Sequence, residues 1–153
     1  MTAKLVILII ASYTIGNISP STILARSRGI DIKAAGSGNA GTTNALRVLG
    51  PKAALITLIV DIGKGFLPTS VAMKLLGLSW AGLCALAVFA GHVWPVFLRF
   101  RGGKGVAAAF GAIFAIDWRI ALICLAAAAV DDFYVRQKKS FSGARATLRF
   151  IGS

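Results

Sequence analysis

The chain has 153 residues, of which 57% are apolar and only 14% are charged, whereas average globular domains are roughly 45–50% apolar and about 25% charged. This composition excludes a disordered, collagen-like or disulfide-stapled secreted protein and favours an integral membrane protein. The net charge is +12, and because the basic residues lie between apolar runs, we expect them to meet anionic lipid or a phosphorylated substrate rather than nucleic acid.

Five apolar segments are predicted to span the membrane within a domain of residues 1–130, as an all-α integral membrane protein. The first, residues 5–25, carries no charged side chain and as a helix covers about 30 Å, the thickness of the hydrocarbon core. A cleaved signal peptide is the alternative for this segment. The other four are residues 53–73, 75–98, 105–116 and 120–130, although the last two could instead form one long span with charges at its middle.

The basic residues favour one topology. Cytoplasmic loops carry an excess of Lys and Arg, and two crossings by residues 105–130 would place most of the 17 basic residues on the same side. The N-terminus is then outside, whereas residues 26–52 and 99–104 are cytoplasmic. Residues 131–153 are predicted to lie on the cytoplasmic side as well, as a basic tail that we expect to be poorly ordered.

The loop after the first span is rich in groups that bind polar ligands. Its sequence from residue 36 to 47 is GSGNAGTTNALR. The three glycines allow a ligand to approach the backbone closely, and Arg47 offers a planar fork for phosphate. A dinucleotide site is disfavoured because no βαβ unit surrounds the G-x-G-x-x-G pattern, and a flexible polar connection is the alternative. Neutral hydrogen-bonding side chains come from Ser37, Asn39, Thr42, Thr43 and Asn44.

A second polar cluster follows the third apolar segment. Residues 102–105 are Gly-Gly-Lys-Gly, so backbone N–H groups and the Lys104 ammonium could bind an anion together. A basic loop resting against lipid headgroups is the alternative. His92 is an ionisable group inside the third span and therefore a functional candidate. Asp61 and Lys64, three residues apart on one helix face, can pair with each other.

Three segments resemble the bacterial PlsY-type acyl-phosphate:glycerol-3-phosphate acyltransferases. They are residues 36–50, 61–68 and 91–107, and the resemblance extends over about residues 5–125. It implies transfer of a fatty acyl group from acyl phosphate to the 1-hydroxyl of glycerol 3-phosphate, which yields lysophosphatidic acid and phosphate. It also implies a site on the cytoplasmic side of the bacterial inner membrane, with membrane lipid as a partner and with no coenzyme A, metal or other cofactor.

The resemblance also implies roles for individual residues. Ser37 and His92 would orient the attacking hydroxyl and help to deprotonate it, whereas Asp61 and Lys64 would support the site. Arg47 and Lys104 would hold phosphate groups and stabilise the departing charge. The residues expected to bind substrate or phosphate are Gly36, Gly38, Asn39, Thr43, Asn44, Arg47, Gly102, Gly103, Lys104 and Gly105.

The C-terminal part departs from the family pattern. Family members have seven spans, and here Tyr134 and Val135 are followed by a basic segment that only partly echoes the family's third motif. We therefore expect the short C-terminus to impair activity. A small membrane transporter or channel subunit for an organic phosphate is the alternative function, in which Asp61, Lys64 and His92 would line a path.

Overall fold

The computed structural model describes residues 2–130, and every regular element in that range is helical. The all-α class predicted from the sequence is therefore confirmed. The predicted basic tail, residues 131–153, lies outside the described residues. The helices are α1 (Thr2–Gly16), α2 (Pro20–Arg26), α3 (Thr42–Leu49), α4 (Pro51–Leu76), α5 (Leu78–Val93), α6 (Val106–Ile116) and α7 (Trp118–Val130), with a 3-10 turn at Val96–Leu98.

The first predicted span is broken rather than continuous. Helices α1 and α2 meet at an angle of 42°, and together they are long and apolar enough to form one bent crossing. The break has a local cause, because Pro20 has no N–H to continue the helix and forces the residue before it out of the helical conformation. Ser19 is accordingly extended, with φ −115° and ψ 96°. The expectation of one uninterrupted helix over residues 5–25 is thus corrected.

Helices α4 and α5 are long and apolar enough to cross a membrane, the second when it is extended by the 3-10 turn to Leu98. Gly77 joins them with φ +85°, a conformation that side chains disfavour and glycine permits. The second span therefore continues to Leu76, beyond the predicted end at residue 73. The third begins at Leu78 rather than at residue 75.

Helices α6 and α7 are apolar but short. Asp117 separates them, and its side chain accepts a hydrogen bond from the Arg119 N–H (2.8 Å), which caps the start of α7. A straight helix of either length does not reach across an ordinary bilayer. The total of five spans and the external N-terminus therefore stay predictions.

Glycines allow two helix pairs to pack with their backbones in contact. A Cβ atom on Gly65 would collide with the carbonyl oxygen of Ala108, and Gly111 is packed as tightly against α4. In the same way, a Cβ atom on Gly91 would collide with the carbonyl oxygen of Tyr13. These crossings hold α6 against α4, and α5 against α1, at the level of the buried polar side chains.

The outward faces of the helices are apolar. Large side chains such as Ile7, Leu67, Leu86 and Ile123 are exposed on α1, α4, α5 and α7. Against water, a surface of this kind would be unfavourable by about 25 cal/mol for each Å², whereas hydrocarbon tails solvate it without cost. The surface is therefore that of an integral membrane protein.

Candidate functional site

Asn44 holds the first polar loop in place. Its side chain is buried in the first turn of α3. The Oδ1 atom accepts a hydrogen bond from the Ser37 N–H (2.8 Å), and Nδ2 donates to the carbonyl oxygens of Ile32 (3.2 Å) and Ala35 (3.0 Å). The amide is thereby occupied within the protein. Asn44 therefore stabilises the loop, and its expected contact with substrate stays a prediction.

Two glycines of this loop are required by its backbone. Gly36 and Gly38 have φ angles of +61° and +68°, values that favour glycine. A Cβ atom on Gly36 would also collide with Oδ1 of Asn44. Their contribution is therefore to let the chain turn tightly around the Asn44 side chain.

Other predicted ligand-binding residues of this region face outward. Ser37, Thr43 and Arg47 are exposed, and Asn39 is half-buried. Thr43 and Arg47 are four residues apart on α3, so they lie on the same helix face. A hydroxyl and a guanidinium are thus offered together beside the loop that carries Ser37.

The second polar loop, residues 102–105, differs in one respect from the anion site predicted there. The N–H of Gly102 donates to the Val93 carbonyl (3.2 Å), and the N–H of Gly103 donates to the His92 carbonyl (3.1 Å). These two amides therefore close the end of α5 and are not free to bind an anion. The Lys104 side chain is exposed, so its ammonium stays available to an anion.

The structure brings the two polar loops and His92 together. A Cβ atom on Gly103 would collide with Nε2 of His92 and would lie 3.1 Å from the carbonyl oxygen of Ala40. Gly103 therefore lies between the buried imidazole and the first loop. The clusters that are far apart in the sequence form one site.

Lys33 is a residue of this site that the sequence did not single out. Its Nζ donates to the Gly102 carbonyl (2.7 Å) across 69 positions of the chain, and so ties the two loops together. Burial lowers the pKa of the Lys33 ammonium, Asp31 opposes this change, and Arg101 lowers the pKa further. A lysine three positions before Gly36 was the only signal available. Like charges crowded in this way favour the binding of an anion.

A buried charged cluster lies behind His92. Lys64 Nζ is 2.8 Å from Oδ1 of Asp61, as the spacing of the two residues predicted, and the same oxygen is 3.6 Å from Nδ1 of His92. Lys64 also donates to the carbonyl oxygen of Ile18 (2.6 Å), at the break between α1 and α2. Among residues 2–130, no group of three or more His, Cys, Asp or Glu side chains is placed to hold a metal ion.

Known proteins resemble this chain in sequence. Two relatives named glycerol-3-phosphate acyltransferase are 47% identical over 114 residues (Enterobacter sp. strain 638) and 46% identical over 127 residues (Geotalea daltonii). The alignments cover 72% and 82% of this chain, but 56% and 65% of the relatives. The chain thus spans little more than half the length of the curated relatives it matches.

A solved structure is similar in fold as well as in sequence. It is described as PlsY (YgiH), an integral membrane glycerol 3-phosphate acyltransferase in its glycerol 3-phosphate form. The TM-score is 0.76 at 38% identity, over 78% of this chain and 61% of that protein. A second structure, of the lysophosphatidic acid form, has a TM-score of 0.73. Residues 6–151 also match the family described as glycerol-3-phosphate acyltransferase. The chain belongs to the glycerol-3-phosphate acyltransferase family.

Proposed function

We propose that this protein transfers a fatty acyl group from acyl phosphate to the 1-hydroxyl of glycerol 3-phosphate. The products are lysophosphatidic acid and inorganic phosphate. Membership of the family and the likeness to structures in glycerol 3-phosphate and lysophosphatidic acid forms support this reaction. The observation that carries it is the meeting of both polar loops at His92 through Gly103, since two phosphorylated reactants require two groups of anion-binding residues at one place.

Three basic side chains around the two polar loops bind the phosphate groups. Lys104 and Arg47 are exposed, one in each of the two polar segments, and neutralise the phosphate groups of the reactants. Lys33 is half-buried; it adds positive charge to the site and donates a hydrogen bond to the carbonyl oxygen of Gly102. As the acyl–oxygen bond breaks, negative charge grows on the departing phosphate, so the same cations stabilise the transition state.

The reacting hydroxyl is oriented by Ser37 and His92. The 1-oxygen of glycerol 3-phosphate attacks the acyl carbonyl carbon, and the electron pair of the broken bond leaves with phosphate. Because acyl phosphate is already activated, attack is direct and no acyl-Ser37 intermediate is needed. The imidazole of His92 helps to remove the hydroxyl proton, and the exposed Ser37 hydroxyl fixes the position of the attacking oxygen.

The reaction takes place at the cytoplasmic surface of the inner membrane. The basic loops of residues 26–52 and 99–104 occupy that side, in agreement with the excess of Lys and Arg in cytoplasmic loops. The acyl chain stays among the lipid tails, against the apolar outer faces of the helices, while its phosphate reaches the loops. Membrane lipid is thus the solvent for one substrate.

The test is a direct assay of the purified protein in detergent or liposomes. Acyl phosphate and labelled glycerol 3-phosphate should give labelled lysophosphatidic acid, and acyl-coenzyme A in place of acyl phosphate should give none. A protein without acyltransferase activity that carries labelled glycerol 3-phosphate into sealed liposomes would contradict the proposal and favour an organic phosphate transporter.

A further inference from the structure

Asp61 contacts two partners, of which Lys64 is only one. The side chains of Asp61 and His92 are 1% and 6% exposed. Oδ1 of Asp61 is 3.6 Å from Nδ1 of His92, and within residues 2–130 neither atom has an aligned hydrogen-bond partner. The 2.8 Å contact from Lys64 Nζ to the same oxygen is therefore a close ion pair without hydrogen-bond alignment. A proton carried by Nδ1 of His92 would face this carboxylate.

We propose that Asp61 is the positioning residue of His92. Its carboxylate holds the imidazole proton on Nδ1, so that Nε2 keeps its lone pair on the side of Gly103 and the first polar loop. The hydrogen bond made by one ring nitrogen determines the protonation of the other. The distance of 3.6 Å is longer than a hydrogen bond, but contacts of this kind often tighten only when substrate is bound.

Lys64 gives Asp61 its fixed place. The ammonium donates to the Ile18 carbonyl (2.6 Å), a group that has lost its helical partner because the first span breaks at residues 17–19. Asp61, Lys64 and His92 together thus connect the bend of the first span to the site. The lysine also supplies the positive charge without which a buried carboxylate would be strongly unfavourable.

His92 is the single histidine of the chain, so its protonation can be read without assignment. In protein labelled with ¹⁵N-histidine and held in detergent micelles, we expect the neutral imidazole to carry its proton on Nδ1. Asp61→Asn should give a mixture of the two tautomers or mainly the Nε2–H form. Asp117→Asn is the matched control, because asparagine still caps α7, and it should leave the signal unchanged. A wild-type imidazole protonated on Nε2, or an unchanged tautomer in Asp61→Asn, would overturn the proposal.

A kinetic experiment separates positioning from charge neutralisation. Asp61→Asn should lower kcat at least ~10-fold, out of the 10²- to 10⁴-fold that an acid–base group contributes, with little change in KM for glycerol 3-phosphate. In Asp61→Asn/Lys64→Met no unpaired charge is left buried, and kcat should stay low. Recovery of wild-type kcat in this double variant would show that Asp61 only neutralises Lys64, and the proposal would fail.

The kinetic experiment depends on the proposed function, whereas the NMR experiment does not. If the wild-type protein makes no lysophosphatidic acid, the proposed function fails. The tautomer of His92 still decides whether Asp61 positions it.

Discussion

Side chains of the candidate site either hold the backbone or are exposed. The side-chain amide of Asn44 makes hydrogen bonds within the first polar loop, and the Lys33 ammonium donates a hydrogen bond to the Gly102 carbonyl. Ser37, Arg47 and Lys104 are exposed. Removal of a buried partner leaves unsatisfied polar groups, whereas removal of an exposed one does not. Substitutions in the first group should therefore lower stability, and those in the second should lower turnover.

Ser37→Ala should lower turnover by about 10² without unfolding the protein, as expected for the loss of a group that assists proton transfer. The lost hydroxyl is exposed, and the bond to Asn44 is made by the backbone N–H, which alanine keeps. Formation of labelled lysophosphatidic acid measures the effect. Ser27→Ala, an exposed serine outside the loop, is the control and should have normal turnover. Equal rates in the two variants would remove Ser37 from the site.

Lys104→Ala should raise KM and lower kcat, because the ammonium acts on both the bound and the departing phosphate. Lys104→Arg should recover only part of the activity, since a planar fork does not replace a compact ammonium in a tight loop. Steady-state kinetics of both variants test this. Lys74→Ala removes an exposed lysine near the end of α4 and should have no effect. Wild-type kinetics in Lys104→Ala would mean that the loop contacts only lipid headgroups.

Asn44→Ala should destabilise the protein by about 2 kcal/mol, because three backbone groups lose their partner and a buried unsatisfied group is unfavourable by ~1–3 kcal/mol. Thermal unfolding in detergent measures the change, and faster proteolysis within residues 36–41 should accompany it. The half-buried Asn39 provides the control, since Asn39→Ala should unfold near the wild-type temperature. An unshifted unfolding temperature in Asn44→Ala would contradict its stabilising role.

At the level of the helices, glycines allow neighbouring helices to pack with their backbones in contact. Packing of this kind is common in membranes, since lipid gives no hydrophobic drive for helices to associate and close van der Waals contact must supply it. Gly65 and Gly111 fill this role between α4 and α6, and Gly91 does so between α1 and α5. The last crossing directly precedes His92, so its spacing also determines the position of the imidazole.

Gly65→Ala should therefore destabilise the protein by about 1–3 kcal/mol, the usual range for an overpacked interior. Gly63→Ala is the matched control on the same helix, because a Cβ atom there meets nothing within 4 Å. Unfolding temperatures in one detergent compare the two variants. If Gly65→Ala were as stable as Gly63→Ala, the close approach of α4 to α6 would be wrong.

At the scale of the whole molecule, residues 2–130 form a set of helices with an apolar outer surface and two polar loops that meet at His92. With most basic residues in the predicted cytoplasmic loops and the predicted basic tail together, the site is expected on that side. The loop carrying Lys33 contacts the loop carrying Gly102, so both loops must lie on the same face of the membrane. If α4 and α5 each cross the membrane, the turn between them at Gly77 is expected on the opposite face.

Cysteine labelling tests this topology. In a background with Cys84→Ala and Cys124→Ala, Ser27→Cys and Arg101→Cys should be protected from an impermeant thiol reagent in intact cells and should react after lysis. Leu78→Cys, at the start of α5, should react in intact cells. All three positions are exposed. The opposite pattern would place the site outside and contradict the cytoplasmic reaction.

Local sequence determined the class of this protein and many of its helices. Long runs without charge must become helices in lipid, because no water is present to satisfy the backbone. The Asp61–Lys64 pair was equally predictable, since residues three apart on a helix are neighbours. The glycine-rich composition of both polar loops, together with their basic side chains, predicts phosphate binding.

Only the tertiary structure decided which of the candidate groups are available to a ligand. The amides of Gly102 and Gly103 and the side chain of Asn44 looked free in the sequence, yet their hydrogen bonds are used within the protein. Lys33 and Asp61 acquired their importance from Gly102 and His92, partners that are distant in the chain. Such pairings arise from the packing of several helices at once. The local sequence does not show these pairings. Composition therefore predicts which chemical groups the site contains, but not which of their atoms are available to a ligand.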